Sequence, residues 1–522
     1  MKKKIMNTKY IIVLFLLLGF TACNSPEDVL RDNNIPVPKE IILPDLTSGV
    51  ADFSKYVSVG NSLTAGLSDG TLFLAAQKNA FPKILSEKFE LAGGGAFTQP
   101  LVSDNFGGLA LNGTRIEGFN PRFVTTGGAP QPLESVIGPV TVTTDIVLNN
   151  PTGPFNNMGV PGAKSFHVIA PGYGNLANLP LANPYFIRMT GNTPNASILE
   201  LTMAQNPTFF TLWLGSNDIL GYALTGGDGT NPITDQPTFD FAMTTIVNTL
   251  TSGGAKGVIA NIPYVSDIPN FTTIPWDLLD PTDPDFESIL PLIPTLNAQL
   301  YGPLNQIFTA LGEPDRVNLL SADGPNPLLI HDETATDRSA EIAATLTPVL
   351  GAPTAGAFGA IFGKCRQAKP DDLILLAAGS QIGKPAPGLP APVNVNGISY
   401  PLQDQLVLIP SEQAEIKTAV DNFNATIEAA AGQAGLAFVD ANTLLSQLKD
   451  TGIASNNFIL TSDLVTGGAF SLDGVHLTSR GYAIIANEFM KAIDAKYGSN
   501  FEASGNLVDI GAYPTNYSPL LQ

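Results

Sequence analysis

The chain has 522 residues, of which 44% are hydrophobic and 14% charged, and its formal net charge is −20 at pH 7. This excess of negative charge argues against nucleic acid as a partner and against electrostatic attraction to anionic lipid surfaces. The 50 glycines and 42 prolines predict a loop-rich chain, which still has enough apolar residues for a large core.

Residues 1–22 have the pattern of a secretory signal. Lysines at positions 2, 3, 4 and 9 precede an apolar run at 11–20, which is about half the ~20 residues needed to cross a bilayer. Small residues then precede Cys23. This pattern resembles the cleavage and lipidation site of bacterial lipoproteins and implies that Cys23 is the lipidated first residue, although Phe20 replaces the usual Leu. A plain secreted protein cleaved near Ala22 is the alternative.

An exported protein, lipid-anchored to the outer membrane of a bacterial cell envelope, is therefore expected. Without the four signal lysines its net charge is −24. Residues 23–50 contain several prolines and are expected to tether the lipid to the folded domain. If Cys23 carries lipid, Cys365 has no partner for a disulfide and is expected to be a small buried hydrophobe.

Strands and helices alternate along the predicted domain, which spans residues 51–497. Strands are predicted at 55–60, 209–214, 256–263 and 436–440, and helices at 239–250 and 411–431. This β-α-β alternation predicts an α/β fold with a parallel sheet and right-handed crossovers.

Two long segments interrupt this alternation. Residues 96–155 and 264–410 are rich in glycine and proline and too long for ordinary loops, so they are expected to be insertions. The second is expected to form a lid or wall beside the substrate site. Its acidic residues at 280, 283, 285 and 287 lack the glycine of an EF-hand loop, which favours a solvated loop over a calcium site. Residues 498–522 are expected to form a tail that wraps the surface.

Polar residues follow the predicted strands at positions suited to chemistry. Ser62 follows the first strand, where it is either a nucleophile or the cap of the next helix. Asn217 follows the 209–214 strand, and Asx-turn formation is its alternative role. Residues 156–163 are expected to be a turn, in which Gly162 permits a positive φ and a backbone N–H that donates to a reacting oxygen.

A loop near the C-terminus carries an acidic residue and a histidine. Asp473 and His476 are three residues apart, before a final helix that Ser479 is expected to cap and that runs to about Tyr497. This spacing lets the carboxylate accept from one ring nitrogen while the other nitrogen faces outward, as in a general base.

These four segments together resemble the SGNH (GDSL-type) esterase and lipase superfamily. The matching blocks are Gly60-Asn61-Ser62-Leu63 and residues 157–162, 215–218 and 473–476, in that order. Asn61 stands where the family usually has Asp. The resemblance implies a three-layer α/β/α fold with a central parallel sheet of the flavodoxin-like kind and large loop-rich insertions.

The resemblance also implies the role of each residue. Ser62 attacks an ester carbonyl, His476 takes its proton, and Asp473 fixes the histidine tautomer. The backbone N–H groups of Ser62 and Gly162 and the side-chain amide of Asn217 bind the oxyanion. No metal and no organic cofactor are implied. The α/β-hydrolase alternative fits poorly because residue 64 is Thr rather than the Gly of a Gly-x-Ser-x-Gly elbow.

The predicted function is that of a carboxylic ester hydrolase in the cell envelope. Its expected partners are an ester substrate, either a lipid or an acylated small molecule or glycan, and the membrane that holds its lipid anchor. Two alternatives stay open at this point. One is a carbohydrate esterase that removes acetyl groups, and the other is a surface binding protein that has the fold without the activity.

Overall fold

Five parallel strands form the central sheet in the computed structural model, which describes residues 42–284, 286–386, 393–455 and 457–522. The strands are β1 (Tyr56–Gly60), β2 (Asn157–Gly159), β3 (Phe209–Trp213), β4 (Lys256–Ala260) and β5 (Ala437–Val439). Their order is β2-β1-β3-β4-β5, and every neighbouring pair is parallel. This confirms the α/β class. The predicted signal, Cys23 and the predicted tether up to residue 41 lie outside the described residues.

The strand order places a crevice at the carboxyl end of β1. Strand order reverses between β1 and β3, and doubly wound sheets bind ligands beyond the strand ends at such a point. Gly60, the last residue of β1, pairs with both Gly159 of β2 and Trp213 of β3. The three strands therefore end at the same level, and the loops that follow them converge.

Helices flank the sheet and bury its apolar strands. They are α1 (Ser62–Ala65), α2 (Phe81–Leu91), α3 (Asn217–Leu224), α4 (Gln236–Thr251), α5 (Pro410–Ala434), α6 (Ala441–Asp450) and α7 (Ser479–Tyr497). Helix α2 packs on α7, and α4 packs on α5 through the stacked rings of Phe239 and Phe423, whose centroids are 3.9 Å apart. The predicted helices at 239–250 and 411–431 are thus confirmed, with longer bounds.

Two local expectations were wrong. Thr478, not Ser479, caps α7, because the Thr478 hydroxyl accepts a hydrogen bond from the Gly481 N–H at 3.0 Å. Residues 157–159, expected in a turn, form the edge strand β2. Its sequence has no apolar alternation, and backbone pairing with β1 holds it in the sheet. Gly159 lets α1 approach, since a Cβ there would lie 2.3 Å from the backbone nitrogen of Ala65.

The segment at 264–410 contains its own apolar core. Buried side chains from its helices and strands, including Leu304, Phe308, Ile330 and Phe362, pack into a cluster separate from that of the main sheet. Its Cys365 is fully buried, and burial raises the pKa of the thiol to about 12. The segment expected to be loop-rich is therefore organised by side-chain packing.

Shorter elements complete the described chain. The other α-helices are Leu74–Gln77, Leu133–Ile137, Pro184–Ile187, Ile198–Met203, Pro269–Thr272, Ile293–Leu296, Gly302–Ala310, Ser339–Leu350 and Ala352–Phe362. Two-stranded ribbons pair Ala110–Leu111 with Thr114–Arg115, Phe123–Val124 with Gln131–Pro132, Leu329–His331 with Cys365–Gln367, Leu373–Ile374 with Val407–Leu408, and Ile453–Ser455 with Phe458–Leu460. Among the described residues, no helix combines the length and apolar character needed to cross a membrane.

The C-terminal residues pack against the 96–155 segment. The buried guanidinium of Arg122 donates to the backbone oxygens of Ser518 at 2.6 Å and Tyr517 at 3.4 Å. The Tyr517 hydroxyl also lies 2.6 Å from the hydroxyl of Ser479 at the start of α7. These bonds connect the chain end to α7, which follows the loop of Asp473 and His476.

Candidate active site

Ser62, His476 and Asp473 form a continuous hydrogen-bonded line. Nε2 of His476 lies 2.8 Å from Oγ of Ser62, and Nδ1 of His476 lies 2.8 Å from Oδ2 of Asp473. Ser62 and His476 are 414 residues apart in sequence. The geometry that the sequence predicted for these three side chains is therefore present.

The turn after β1 sets the direction of the Ser62 side chain. Asn61 is the N-cap of α1, and its side-chain oxygen accepts a hydrogen bond from the Leu63 N–H at 3.1 Å. Asn61 is 1% exposed, and a neutral amide can be buried there at lower cost than a carboxylate. Ser62 thus begins a short helix directly beyond the strand, at the crevice.

The carboxylate of Asp473 accepts five hydrogen bonds. Oδ2 accepts from His476 Nδ1 and from the Gly70 N–H at 2.7 Å, while Oδ1 accepts from the Val475 and His476 N–H groups at 2.8 Å each and from the Ser471 hydroxyl at 3.2 Å. Burial alone would raise the pKa of Asp473. The charge of a protonated His476 and these hydrogen bonds instead lower its pKa well below the usual range. Asp473 is therefore ionised at neutral pH.

An ionised Asp473 fixes the tautomer of His476. A carboxylate without a proton only accepts hydrogen bonds, so the ring nitrogen Nδ1 must carry the hydrogen. In the neutral imidazole the other nitrogen, Nε2, is then an acceptor for the Ser62 hydroxyl. This arrangement suits proton removal from Ser62.

Sequence reasoning missed a second acidic residue beside Asp473. Asp69 is 1% exposed, and its Oδ1 accepts from the Leu472 N–H at 3.1 Å, while its own N–H donates to the Ser471 hydroxyl at 3.0 Å. Burial and the negative charge of Asp473 raise the pKa of Asp69 to about 7. Asp69 and Ser471 brace the loop that carries Asp473. No local sequence motif predicts these contacts, because Asp69 and Leu472 are 403 residues apart in the chain.

The predicted oxyanion donors lie just beyond the carboxyl ends of three neighbouring strands. Among the described residues, neither the Ser62 nor the Gly162 backbone N–H donates to another protein group. Gly162 has φ +79° and follows β2. Asn217 follows β3 and uses one amide hydrogen to bind the backbone oxygen of Ala163 at 3.0 Å. Its other amide hydrogen stays available for a ligand.

A pocket opens beside Ser62. Ser62, Asn217 and His476 line it together, whereas Gly162 is not among its lining residues. Part of its wall comes from the start of the 264–410 segment, which supplies Tyr264 and Val265. No local sequence pattern predicts which side chains form this wall.

The same segment also contacts the loop that carries Asp473 and His476, called the catalytic loop for its proposed role. The Asn270 N–H donates to the backbone oxygen of Gly474 at 2.9 Å. Gly474 has φ +70°, and a Cβ there would lie 3.0 Å from the Asn270 nitrogen, so glycine permits this approach. The helix at Pro269–Thr272 therefore packs directly on the loop that holds Asp473 and His476.

Three carboxylates elsewhere lie close enough to hold a cation. Oxygens of Glu333, Asp404 and Glu412 all lie within 4.8 Å of one another. Burial and the neighbouring acidic groups raise the pKa of Glu412 to about 8 and also raise the pKa of Asp404. At neutral pH Glu412 therefore retains its proton, which relieves part of the repulsion among the three carboxylates.

Comparisons of this chain with models of known protein families, with curated proteins and with solved structures found no match.

The raised pKa of Glu412 makes stability depend on pH. The folded state binds this proton more tightly than the unfolded state, so stability falls as pH rises from about 4.5 towards the folded-state pKa of about 8. We expect Glu412→Gln, which keeps an acceptor for the Ile409 N–H, to lessen the fall in melting temperature between pH 5 and pH 8.5.

Glu428→Gln is the matched control, because Glu428 lies exposed on the same helix α5. We expect this variant to follow the wild-type curve. Parallel pH curves for wild type and Glu412→Gln would contradict the assignment of a retained proton to Glu412.

Proposed function

We propose that this protein is a serine ester hydrolase of the SGNH type that cleaves carboxyl esters through an acyl-enzyme on Ser62. The observation that carries the proposal is the line of hydrogen bonds from Ser62 through His476 to an ionised Asp473. The sheet order β2-β1-β3-β4-β5 supports the flavodoxin-like, three-layer arrangement of that superfamily.

In the first half of the reaction, Oγ of Ser62 attacks the ester carbonyl carbon and His476 Nε2 takes the hydroxyl proton. The carbonyl oxygen becomes an oxyanion, which accepts hydrogen bonds from the N–H groups of Ser62 and Gly162 and from the Asn217 amide. His476 then gives its proton to the alcohol oxygen. The C–O bond breaks, the alcohol leaves, and the acyl group stays on Ser62.

In the second half, water replaces the alcohol beside His476. Nε2 removes a proton as the water oxygen attacks the acyl carbon, and the same oxyanion donors act again. The proton then returns to Oγ of Ser62, and a carboxylic acid is released. Asp473 remains ionised throughout, because its low pKa keeps it an acceptor for Nδ1–H.

In this proposal Cys23 carries the lipid and anchors the enzyme to the outer membrane. The sequence pattern around Cys23 supports this placement. The residues that follow Cys23 would then tether the domain, so that the enzyme meets ester substrates in the envelope.

Labelling with a fluorophosphonate tests whether Ser62 is activated. Wild type is expected to react covalently, whereas Ser62→Ala and His476→Ala are expected to show no label by fluorescence after electrophoresis. Ser216→Ala is the matched control, because Ser216 lines the same pocket but its hydroxyl has no hydrogen-bond partner among the described residues. Undiminished labelling of folded Ser62→Ala would refute the proposed nucleophile.

Asn217→Ala tests the oxyanion role. Removal of one donor that acts mainly in the transition state is expected to lower kcat by about 10²–10³ with little change in KM. Steady-state kinetics with a soluble ester measures both constants. A raised KM with an unchanged kcat would instead make Asn217 a group that binds substrate and transition state equally.

Ser471→Ala tests whether the hydrogen bond from the Ser471 hydroxyl positions the carboxylate of Asp473. Loss of one hydrogen bond to the carboxylate is expected to lower kcat about tenfold with KM unchanged. Ser479→Ala is the control, because Ser479 is equally buried but bonds Tyr517 rather than Asp473. Equal kcat values in the two variants would show that Ser471 has only a structural role.

A further inference from the structure

The pocket beside Ser62 has mostly apolar walls. Its lining includes aliphatic and aromatic side chains that are each at most 9% exposed, among them Ile219, Ile262, Val265, Ile268, Leu445 and Phe470. They come from α3, from the segment after β4, from α6 and from the catalytic loop. Four separate parts of the chain thus contribute apolar surface to one cavity.

Apart from the Ser216 hydroxyl, which has no hydrogen-bond partner among the described residues, the polar side chains of the pocket are engaged or belong to the proposed reaction centre. The indole N–H of Trp213 donates to the backbone oxygen of Asn261 at 3.0 Å, and the Tyr264 hydroxyl donates to Asp421 at 2.5 Å. Among the described residues, no Asp, Glu, Lys or Arg lines the cavity. A sugar or a charged headgroup would therefore lose several hydrogen bonds to water here and replace few of them.

We infer that this pocket holds a linear aliphatic acyl chain, so that the preferred substrates are esters of fatty acids with several methylenes rather than acetyl esters. This inference rests on the proposed function, since it assigns one half of the ester to the pocket. Apolar burial supplies the selectivity, because each methylene removed from water contributes a similar increment of binding.

The acyl half fits the pocket better than the alcohol half for a mechanistic reason. The alcohol must leave before water attacks the acyl-enzyme, and water must then reach His476 from the same side. Mostly apolar walls offer water few hydrogen bonds, so this pocket suits the group that stays attached to Ser62. The alcohol and the incoming water then use the open side of the site.

The first test varies the two halves of the ester separately in the wild-type protein. With p-nitrophenol as the constant alcohol, kcat/KM is expected to rise about fourfold per added methylene from acetyl until the pocket is full. With octanoate as the constant acid and methyl, butyl or glyceryl alcohols, kcat/KM is expected to change little. A strong dependence on the alcohol with none on the acid would overturn the acyl assignment.

The second test alters the walls. Val265→Phe fills the pocket and is expected to lower the ratio of octanoyl to acetyl kcat/KM about tenfold or more. Leu445→Ala enlarges the pocket and is expected to move the optimum to a longer chain. Leu448→Ala is the matched control, because Leu448 is a buried leucine of the same helix that does not line the pocket. It is expected to keep the wild-type ratio.

The failure of this inference can be told apart from the failure of the proposed function. Fluorophosphonate labelling of Ser62 together with highest activity on acetyl esters would overturn the acyl-chain pocket and favour an acetyl esterase. No labelling and no turnover of any ester by the folded wild type would overturn the serine hydrolase itself. Equal chain-length profiles for wild type, Val265→Phe and Leu445→Ala would exclude this cavity as the binding site.

Discussion

The buried carboxylate of Asp473 is the group on which the geometry of the site depends. Removing a charge from water costs several kcal/mol unless hydrogen bonds replace the lost hydration. Here five donors do so, and they come from three places: the Gly70 turn, the Ser471 hydroxyl and the loop of Val475 and His476. The same bonds that keep Asp473 ionised therefore join the turn after α1 to the loop before α7, and they orient the imidazole towards Ser62.

The sheet and the 264–410 segment contribute different parts of the site. Strands β1, β2 and β3 end at the same level, and Ser62, Gly162 and Asn217 follow them in the chain. The inserted segment starts after β4 and supplies part of the apolar wall, while its Asn270 packs on Gly474. Parallel backbone pairing thus positions the proposed reacting groups, and side-chain packing of the 264–410 segment shapes part of the pocket beside them.

Local sequence patterns predict the proposed reacting residues but not the residues that surround and position them. The apolar run of β3 predicts a buried strand from its residues alone, and Asp473 and His476 are close in sequence. Strand β2 has only three residues and no alternation, so its place in the sheet depends on pairing with β1. Asp69 and Ser471 acquire their roles from contacts across about 400 residues. Part of the pocket wall depends on tertiary packing of the 264–410 segment, which no local sequence pattern predicts.

A rapidly quenched reaction analysed by mass spectrometry tests the central claim, a covalent acyl-enzyme, most directly. Protein mixed with a short-chain p-nitrophenyl ester and quenched in acid is expected to gain the mass of the acyl group, and proteolysis is expected to place that mass on the peptide containing Ser62. The adduct should accumulate where deacylation is slower than acylation. Turnover with the adduct on a different residue would contradict this account of the site.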